Sequence, residues 1–129
     1  MASRPDITAT EIADALGGLV TAVDRAAITG WFAAYLSDSM REGVSAGIAG
    51  WRDDDLALVR DWGFGLDQIH LPVAVWHGDQ DAMVPFAHGE WLAGHIAGAR
   101  PHLLPGEGHL TLVSGRFGDI MRDLAELAR

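Results

Sequence analysis

The chain has 129 residues and carries 9 Lys and Arg against 18 Asp and Glu, a formal net charge of −9. This acidic balance argues against binding to nucleic acid or to an anionic membrane surface, since both require clustered basic side chains. The length suits a single domain, and the absence of cysteine excludes disulfides and thiolate metal sites. We expect a cytoplasmic protein, because no apolar run approaches the roughly 18 residues of a spanning helix and no apolar signal region is seen.

The first half of the chain, residues 1–62, has helical periodicity throughout. Thr8 and Glu11 have the spacing of a capping box, in which each side chain accepts a hydrogen bond from the other residue's backbone amide. The helix that follows is expected to end at Gly17, because a glycine favours the left-handed conformation that terminates helices.

Two further helices are predicted before the pattern changes. Asp24 is a candidate cap for a helix that runs to about Glu42. Its apolar residues recur every three or four positions and make one stripe: Ile28, Trp31, Phe32, Tyr35, Leu36 and Met40. The acidic run 53–55 would suit the first turn of a third helix near residues 54–60.

The second half of the chain alternates between strand and helix patterns. Residues 72–76 form a continuous apolar run, typical of a strand buried on both faces of a parallel sheet, and a loop over 77–84 follows. Pro85 suits the first turn of a helix with an apolar face at Trp91, Leu92 and Ile96. A second strand over 100–104, a loop over 105–109 and a last helix over about 115–128 complete the series.

This order predicts an α/β protein in which a helical region, residues 1–66, precedes a strand–helix–strand–helix unit, residues 67–129. The two strands would pair in parallel across the crossover helix. A two-stranded parallel sheet is small, so the first strand is expected to have an open edge that invites pairing with another chain.

Acidic and histidine side chains follow both predicted strands. Asp79 and Asp81 come after the first strand, and His109 lies in a glycine-rich loop after the second. Because the carboxyl ends of parallel strands share one edge of the sheet, Asp81 and His109 can meet there. A carboxylate against one imidazole nitrogen would leave the other nitrogen free as a general base. An aspartate after a strand is also a common turn former, and a histidine in such a loop is often simply exposed.

The same segments resemble the C-terminal part of the α/β-hydrolase superfamily, from about Ile69 to the end of the chain. In that superfamily a G-x-x-D loop carries the catalytic acid and a G-x-G-H loop carries the catalytic histidine. Here these loops read Gly78-Asp-Gln-Asp81, followed by Val84-Pro85, and Gly106-Glu-Gly-His109. The resemblance implies Asp81 rather than Asp79 as the acid and His109 as the general base. It also implies that the preceding helices correspond to a helical lid.

The stretch Gly43-Val-Ser-Ala-Gly47 matches the G-x-S-x-G pattern of a serine nucleophile. Such a nucleophile needs an apolar strand immediately before it, whereas the residues before Gly43 are polar and helical in pattern. In the superfamily the nucleophile also lies before the lid. We therefore interpret Ser45 as part of a turn, and we expect the nucleophile, Ser or Asp, to lie outside this chain.

The resemblance implies hydrolysis of an ester, an amide or a related bond in a small-molecule substrate, without a cofactor. This chain would supply the acid and the histidine, and alone it would be incomplete. A non-catalytic interaction module, or an inactive truncated hydrolase, is the alternative; it would pair through its open sheet edge with a second copy or with an N-terminal hydrolase half. No metal site is predicted, because His88 and His95 are seven residues apart, wider than usual zinc-ligand spacing on a helix.

Overall fold

A computed structural model describes residues 8–129, so the helical pattern predicted for residues 1–7 lies outside the described part. Within it, the helices and strands follow the predicted α/β order: α1 (Ala9–Leu16), α2 (Ala22–Ala27), α3 (Gly30–Gly43), α4 (Ala49–Leu58), β1 (Ala74–Gly78), α5 (Phe86–His95), β2 (Arg100–Leu104) and α6 (His109–Leu127). Short 3₁₀ turns cover Gly17–Leu19 and Leu66–Gln68. No helix in this part of the chain has the length and hydrophobicity needed to cross a membrane.

The predicted capping box at the start of α1 is confirmed. The backbone amide of Thr8 donates to Glu11 Oε2 at 2.7 Å, and the amide of Glu11 donates to Thr8 Oγ1 at 3.2 Å. These bonds from Thr8 hold the pKa of the Glu11 carboxyl below its ordinary value. The helix ends where predicted, at Gly17, which has a φ of 55°.

The main apolar core joins the first three helices to the last one. It is made by residues from both halves of the chain: Ile12, Ala13, Val20, Ile28, Phe32, Ala33 and Leu110. The division into residues 1–66 and 67–129 stays a prediction. Leu110 of α6 belongs to the second part but packs in the core of the first.

The single helix predicted from Asp24 to about Glu42 is divided in the structure, because α2 ends at Ala27 and α3 begins at Gly30; only the C-terminal end of α3 agrees with the prediction. The apolar stripe of α3 is wider than its buried face, since Trp31 and Tyr35 remain 69% and 55% exposed.

Helix α4 begins earlier than predicted. The acidic run 53–55 was expected in the first turn of a helix near residues 54–60, but it occupies the middle of α4, which starts at Ala49. The preceding turn ends at Gly47, whose φ of 99° is accessible to glycine at little cost, and the helix begins directly after this reversal. All residues of α4 are exposed.

The sheet consists of β1 and β2, paired in parallel from Ala74 opposite Arg100 to Gly78 opposite Leu104. Strand β2 has the predicted bounds, whereas β1 starts two residues later than expected and continues through His77 and Gly78, which had been assigned to the loop. Helices α5 and α6 both contact β1. Within the described residues, β2 is the sole strand beside β1, so the other edge of β1 is unpaired.

A buried carboxylate ties α6 to both strands. Asp123, 7% exposed, accepts a hydrogen bond from Trp76 Nε1 at 3.2 Å and a salt bridge from Arg100. The imidazole of His102 stacks on the Trp76 ring, with 3.9 Å between centroids. Burial by itself raises the pKa of the Asp123 carboxyl, but the hydrogen bonds from Arg100 and Trp76 outweigh it and lower that pKa.

Candidate functional site

The structure brings Asp81 and His109 together at the carboxyl ends of the two strands. Asp81 lies three residues beyond β1, and His109 is the first residue of α6, five residues beyond β2. Asp81 Oδ2 is 2.9 Å from His109 Nδ1. The two residues meet because the parallel register leaves both strand ends at one edge of the sheet.

The Asp81 carboxylate is held by backbone amides as well as by the imidazole. Its Oδ1 accepts hydrogen bonds from the amides of Met83 and Val84, both at 2.8 Å, and its side chain is 3% exposed. Both oxygens therefore have partners, as a buried carboxylate requires. This arrangement fixes the direction from which the carboxylate approaches the histidine.

The imidazole of His109 is oriented for proton transfer. Because an ionised carboxylate only accepts hydrogen bonds, the bond to Asp81 places the ring hydrogen on Nδ1 and leaves Nε2 unprotonated in the neutral ring. The His109 side chain is 42% exposed, whereas its partner is almost fully buried. The pair thus has one buried end, where orientation is set, and one accessible end, where a proton can be exchanged.

His77 was expected in the loop after the first strand and without a role, but this residue supports the acid. His77 is the penultimate residue of β1 and is 8% exposed. Its Nε2 donates to the carbonyl oxygen of Val84 at 3.0 Å and lies 3.5 Å from Asp81 Oδ2. The ring therefore closes the turn that carries Asp81. Its position in the sequence was the signal that could have revealed this role, because a polar side chain at the end of a buried apolar strand needs a hydrogen-bond partner.

The two loops at the strand ends are also tied to each other. Asp79, which is exposed, accepts a hydrogen bond from the Gly106 amide at 2.8 Å and so links the two loops. Gly78 lies so close to the Glu107 backbone that an added Cβ would overlap the carbonyl group.

Hydrogen bonds from Thr111 and then Arg116 lower the pKa of the Glu107 carboxyl.

The expectation that Asp24 caps the helix after it is wrong. Asp24 lies inside α2 and is fully buried, and its carboxylate accepts the backbone amides of His109, Leu110 and Thr111. It caps α6 from a distance of 85 residues in the sequence. This also explains why α6 starts at His109 rather than near residue 115: Gly108 offers no side chain as a local cap signal.

Ser45 is not part of this cluster. It lies in the turn between α3 and α4, and its amide donates to the carbonyl oxygen of Glu42. A helix precedes it where a nucleophile turn needs a strand. A cavity of about 520 Å³ between these helices is lined by residues such as Met40, Val44 and Trp51, and neither Asp81 nor His109 is among its lining residues.

A second cavity opens beside the Asp–His pair. It has a volume of about 340 Å³ and is lined by both members of the pair and by apolar side chains of β1, the following loop and α6: Trp76, Val84, Leu112, Val113 and Ile120. His77 also lines it. An adjoining apolar cavity of about 300 Å³ is formed by Trp62, Val84, His88, Trp91 and Leu92. The accessible end of the pair therefore faces mainly apolar surroundings.

The remaining histidines do not assemble into a ligand cluster within residues 8–129, where no group of three metal-ligating side chains comes together. His88 and His95 lie on α5. His95 stacks on Trp91, and its Nδ1 is 2.7 Å from the Trp91 carbonyl oxygen.

Several known hydrolases are similar to part of this chain. Human serine hydrolase BPHL is 37% identical over 62 residues, 47% of this chain and 20% of that protein. The pimeloyl-[acyl-carrier protein] methyl ester esterase of Aromatoleum aromaticum is 39% identical over 60 residues, 46% of this chain and 24% of the esterase. The probable lysophospholipase BODYGUARD 1 of Arabidopsis thaliana is 33% identical over 58 residues, 45% of this chain and 12% of that protein.

These relatives are α/β-hydrolases, and they confirm the resemblance of the C-terminal part of the chain to that superfamily. This agrees with the α/β order of the elements. The matched segments span about a quarter of the relatives' own lengths or less. No protein-family model and no solved structure matches the chain.

Proposed function

We propose that this chain supplies the acid and the general base of an α/β-hydrolase that cleaves an ester, an amide or a related bond. The observation that carries the proposal is the hydrogen bond of 2.9 Å between buried Asp81 and accessible His109. In this role Asp81 orients the ring and stabilises the imidazolium, and His109 Nε2 takes a proton from the nucleophile and returns it to the leaving group.

The nucleophile and the donors that stabilise the oxyanion are assigned to residues outside this chain. Ser45 follows a helix and does not line the cavity beside the pair. An Asp–His pair alone has no group to activate, so catalysis needs a nucleophile brought to His109 Nε2. A serine nucleophile would give its hydroxyl proton to His109 Nε2, whereas an aspartate nucleophile has no proton to give, and His109 would then take a proton from the water that hydrolyses the covalent intermediate. The apolar cavities beside the pair favour a small substrate with an apolar portion.

The direct test is a chimera with a relative. The C-terminal segment of the Aromatoleum esterase would be replaced by the aligned residues of this chain, and ester hydrolysis would be measured. We expect activity that falls about 10²–10⁴-fold in His109→Ala and Asp81→Asn, as removal of a general base or its support does. His70→Ala, a change at an exposed histidine before β1 that lines neither of the cavities beside the pair, is the matched control. A folded chimera that keeps its activity in His109→Ala would contradict the proposal.

The isolated chain provides a second test. A fluorophosphonate probe reacts with an activated serine, and peptide mapping locates the modified residue. We expect no modification of Ser45 in the folded chain. Modification that disappears in His109→Ala would instead identify a self-contained serine hydrolase and would refute our assignment of the nucleophile.

An interaction module is the second candidate, favoured by the open edge of β1 and by exposed apolar side chains on α6. Phe117, Met121 and Leu124 of α6 are 59%, 46% and 55% exposed. At the two ends of β1, the Arg100 amide donates to the Val73 carbonyl oxygen and the Asp79 amide donates to the Leu104 carbonyl oxygen. The odd-numbered residues of the segment 73–79 therefore bond to β2. By the alternation of a parallel ladder, the amides of the even-numbered residues 74 and 76 point to the open edge.

The module proposal predicts a mass in solution that rises with concentration, either as a dimer or on addition of an N-terminal hydrolase half. Ala74→Pro would remove an edge amide without removing a bond to β2, and it would weaken such association. A monomer at every concentration, with no binding to such a half, would exclude this candidate. Sedimentation velocity distinguishes the outcomes.

A further inference from the structure

Asp24 makes an unusual set of contacts for a residue in a lid-like helix. Its carboxylate is fully buried, and it accepts hydrogen bonds from the backbone amides of His109 at 3.0 Å, Leu110 at 2.8 Å and Thr111 at 3.1 Å. These three amides are among the first four of α6, which have no partner within the helix. A negative charge at this end of a helix is also favoured by the helix dipole.

Gly108, which occupies the N-cap position of α6, leaves room for the Asp24 carboxylate. Gly108 precedes α6 with φ −101° and ψ −165°, a backbone conformation open to any residue. Glycine is therefore not needed there for its conformational freedom. It is needed for space, because an added Cβ would overlap the carboxylate of Asp24. Gly108 and Asp24 together replace the local cap that a Ser, Thr or Asp would provide.

The contact bears directly on the candidate base. His109 is held at two points by two carboxylates: Asp81 binds its ring nitrogen at 2.9 Å, and Asp24 binds its backbone nitrogen at 3.0 Å. The backbone position sets the origin and direction of the side chain, so a shift of the first turn of α6 would move the imidazole relative to Asp81. Rigid support of this kind is what a preorganised site needs.

We propose that Asp24 is a positioning residue for His109, through which the helical region of residues 1–66 sets the geometry of the Asp81–His109 pair. The inference rests on the proposed function insofar as it gives His109 the role of general base. Within residues 8–129, every hydrogen bond that the Asp24 side chain accepts comes from a backbone amide in the first turn of α6, and the side chain is fully buried, so we assign its effect to the position of His109 and not to the substrate.

The hydrogen bond itself gives a readout that does not depend on enzyme activity. A proton held between an imidazole Nδ1 and a carboxylate gives a low-field proton NMR signal, and ¹⁵N shifts of the ring report which nitrogen carries the hydrogen. In the wild-type chain we expect this signal for His109, with Nε2 unprotonated in the neutral ring. A ring protonated on Nε2 instead of Nδ1 would overturn the proposal at this stage.

The test variant is Asp24→Asn, which keeps the shape but replaces one accepting oxygen with a donor amide. We expect loss of the low-field signal of His109 while circular dichroism shows that the helices remain. Ile96→Val, a change at a buried residue outside the core that contains Leu110, controls for reduced stability and should keep the signal. If Asp24→Asn keeps the signal, Asp24 is only a structural cap and the proposal fails.

A relocated carboxylate provides the rescue experiment, which also applies if Asp24→Asn does not fold. The double variant Asp24→Ala with Gly108→Asp moves the cap to its local position, where the backbone accepts an aspartate. We expect the low-field signal to return in the double variant, whereas Gly108→Asp alone should disturb it by crowding Asp24. Restored folding without restored signal would refute the positioning role. An inactive hydrolase chimera combined with these signal changes would refute only the proposed function.

Discussion

The contact between Gly89 of α5 and His77 of β1 allows a quantitative test of how the acid loop is supported. An added Cβ at position 89 would lie 2.5 Å from His77 Nδ1 and 2.7 Å from its Cβ and Cγ. Ordinary carbon contacts are about 3.5–4.0 Å, so the ring or the helix must move by about 1 Å. Gly89→Ala is therefore an overpacking substitution at a buried site.

The magnitude combines three effects. Overpacking a well-packed site costs about 1–3 kcal/mol. Displacement of the His77 ring would weaken its hydrogen bond to Val84, worth about 1 kcal/mol. Alanine is about 1 kcal/mol better than glycine inside a helix, which offsets part of the loss. We expect Gly89→Ala to lower the free energy of unfolding by about 2 kcal/mol.

The matched control is Gly94→Ala, the same substitution in the same helix at a position with no atom within 4 Å of the added Cβ. It should raise the free energy of unfolding slightly, by at most about 1 kcal/mol. Urea unfolding followed by tryptophan fluorescence measures both variants. With a slope of about 1–2 kcal/mol per M, Gly89→Ala should shift the midpoint down by about 1–2 M. Equal midpoints for the two variants would refute the close packing of His77 against α5.

Three further outcomes are expected from single substitutions. Asp123→Asn should lower the Tm by several degrees at pH 7. Because the Asp123 pKa is lowered on folding, its contribution is present above its unfolded pKa of about 3.9 and is lost as pH falls through the folded value, so the Tm difference should shrink in acid. Asp79→Ala should speed hydrogen exchange of the Gly106 amide, its partner at 2.8 Å, and an unchanged rate would contradict the link between the loops. Ser45→Ala should leave the Tm of the chain unchanged, and ester hydrolysis by the wild-type chain that disappears in this variant would restore Ser45 as a candidate nucleophile.

Local signals in the sequence predicted the local structure well. The Thr8–Glu11 capping box and the bounds of β2 were confirmed, because each depends on neighbouring residues. The meeting of Asp81 and His109 was also anticipated, since the crossover of a parallel pair returns both strand ends to one edge. Whether the two residues catalyse a reaction stays a prediction.

Contacts between residues far apart in the sequence could not be predicted from local patterns. The start of α6 was misplaced because its cap comes from Asp24, 85 residues away, and Gly108 gives no local signal. For the same reason Asp24 was assigned to the helix next to it. The width of the apolar stripe on α3 likewise did not reveal that Trp31 would remain exposed, because periodicity identifies an apolar face but not what covers it.

The first turn of α6 joins three parts of the molecule at consecutive residues. The His109 ring bonds to the acid loop after β1, the Leu110 side chain enters the core of α1–α3, and the amides of both bond to Asp24. Any change that moves α2 must therefore disturb these bonds or move this turn with it. We infer that the helical region and the strand-end loops cannot vary independently, because one turn of helix satisfies the packing and hydrogen bonding of both.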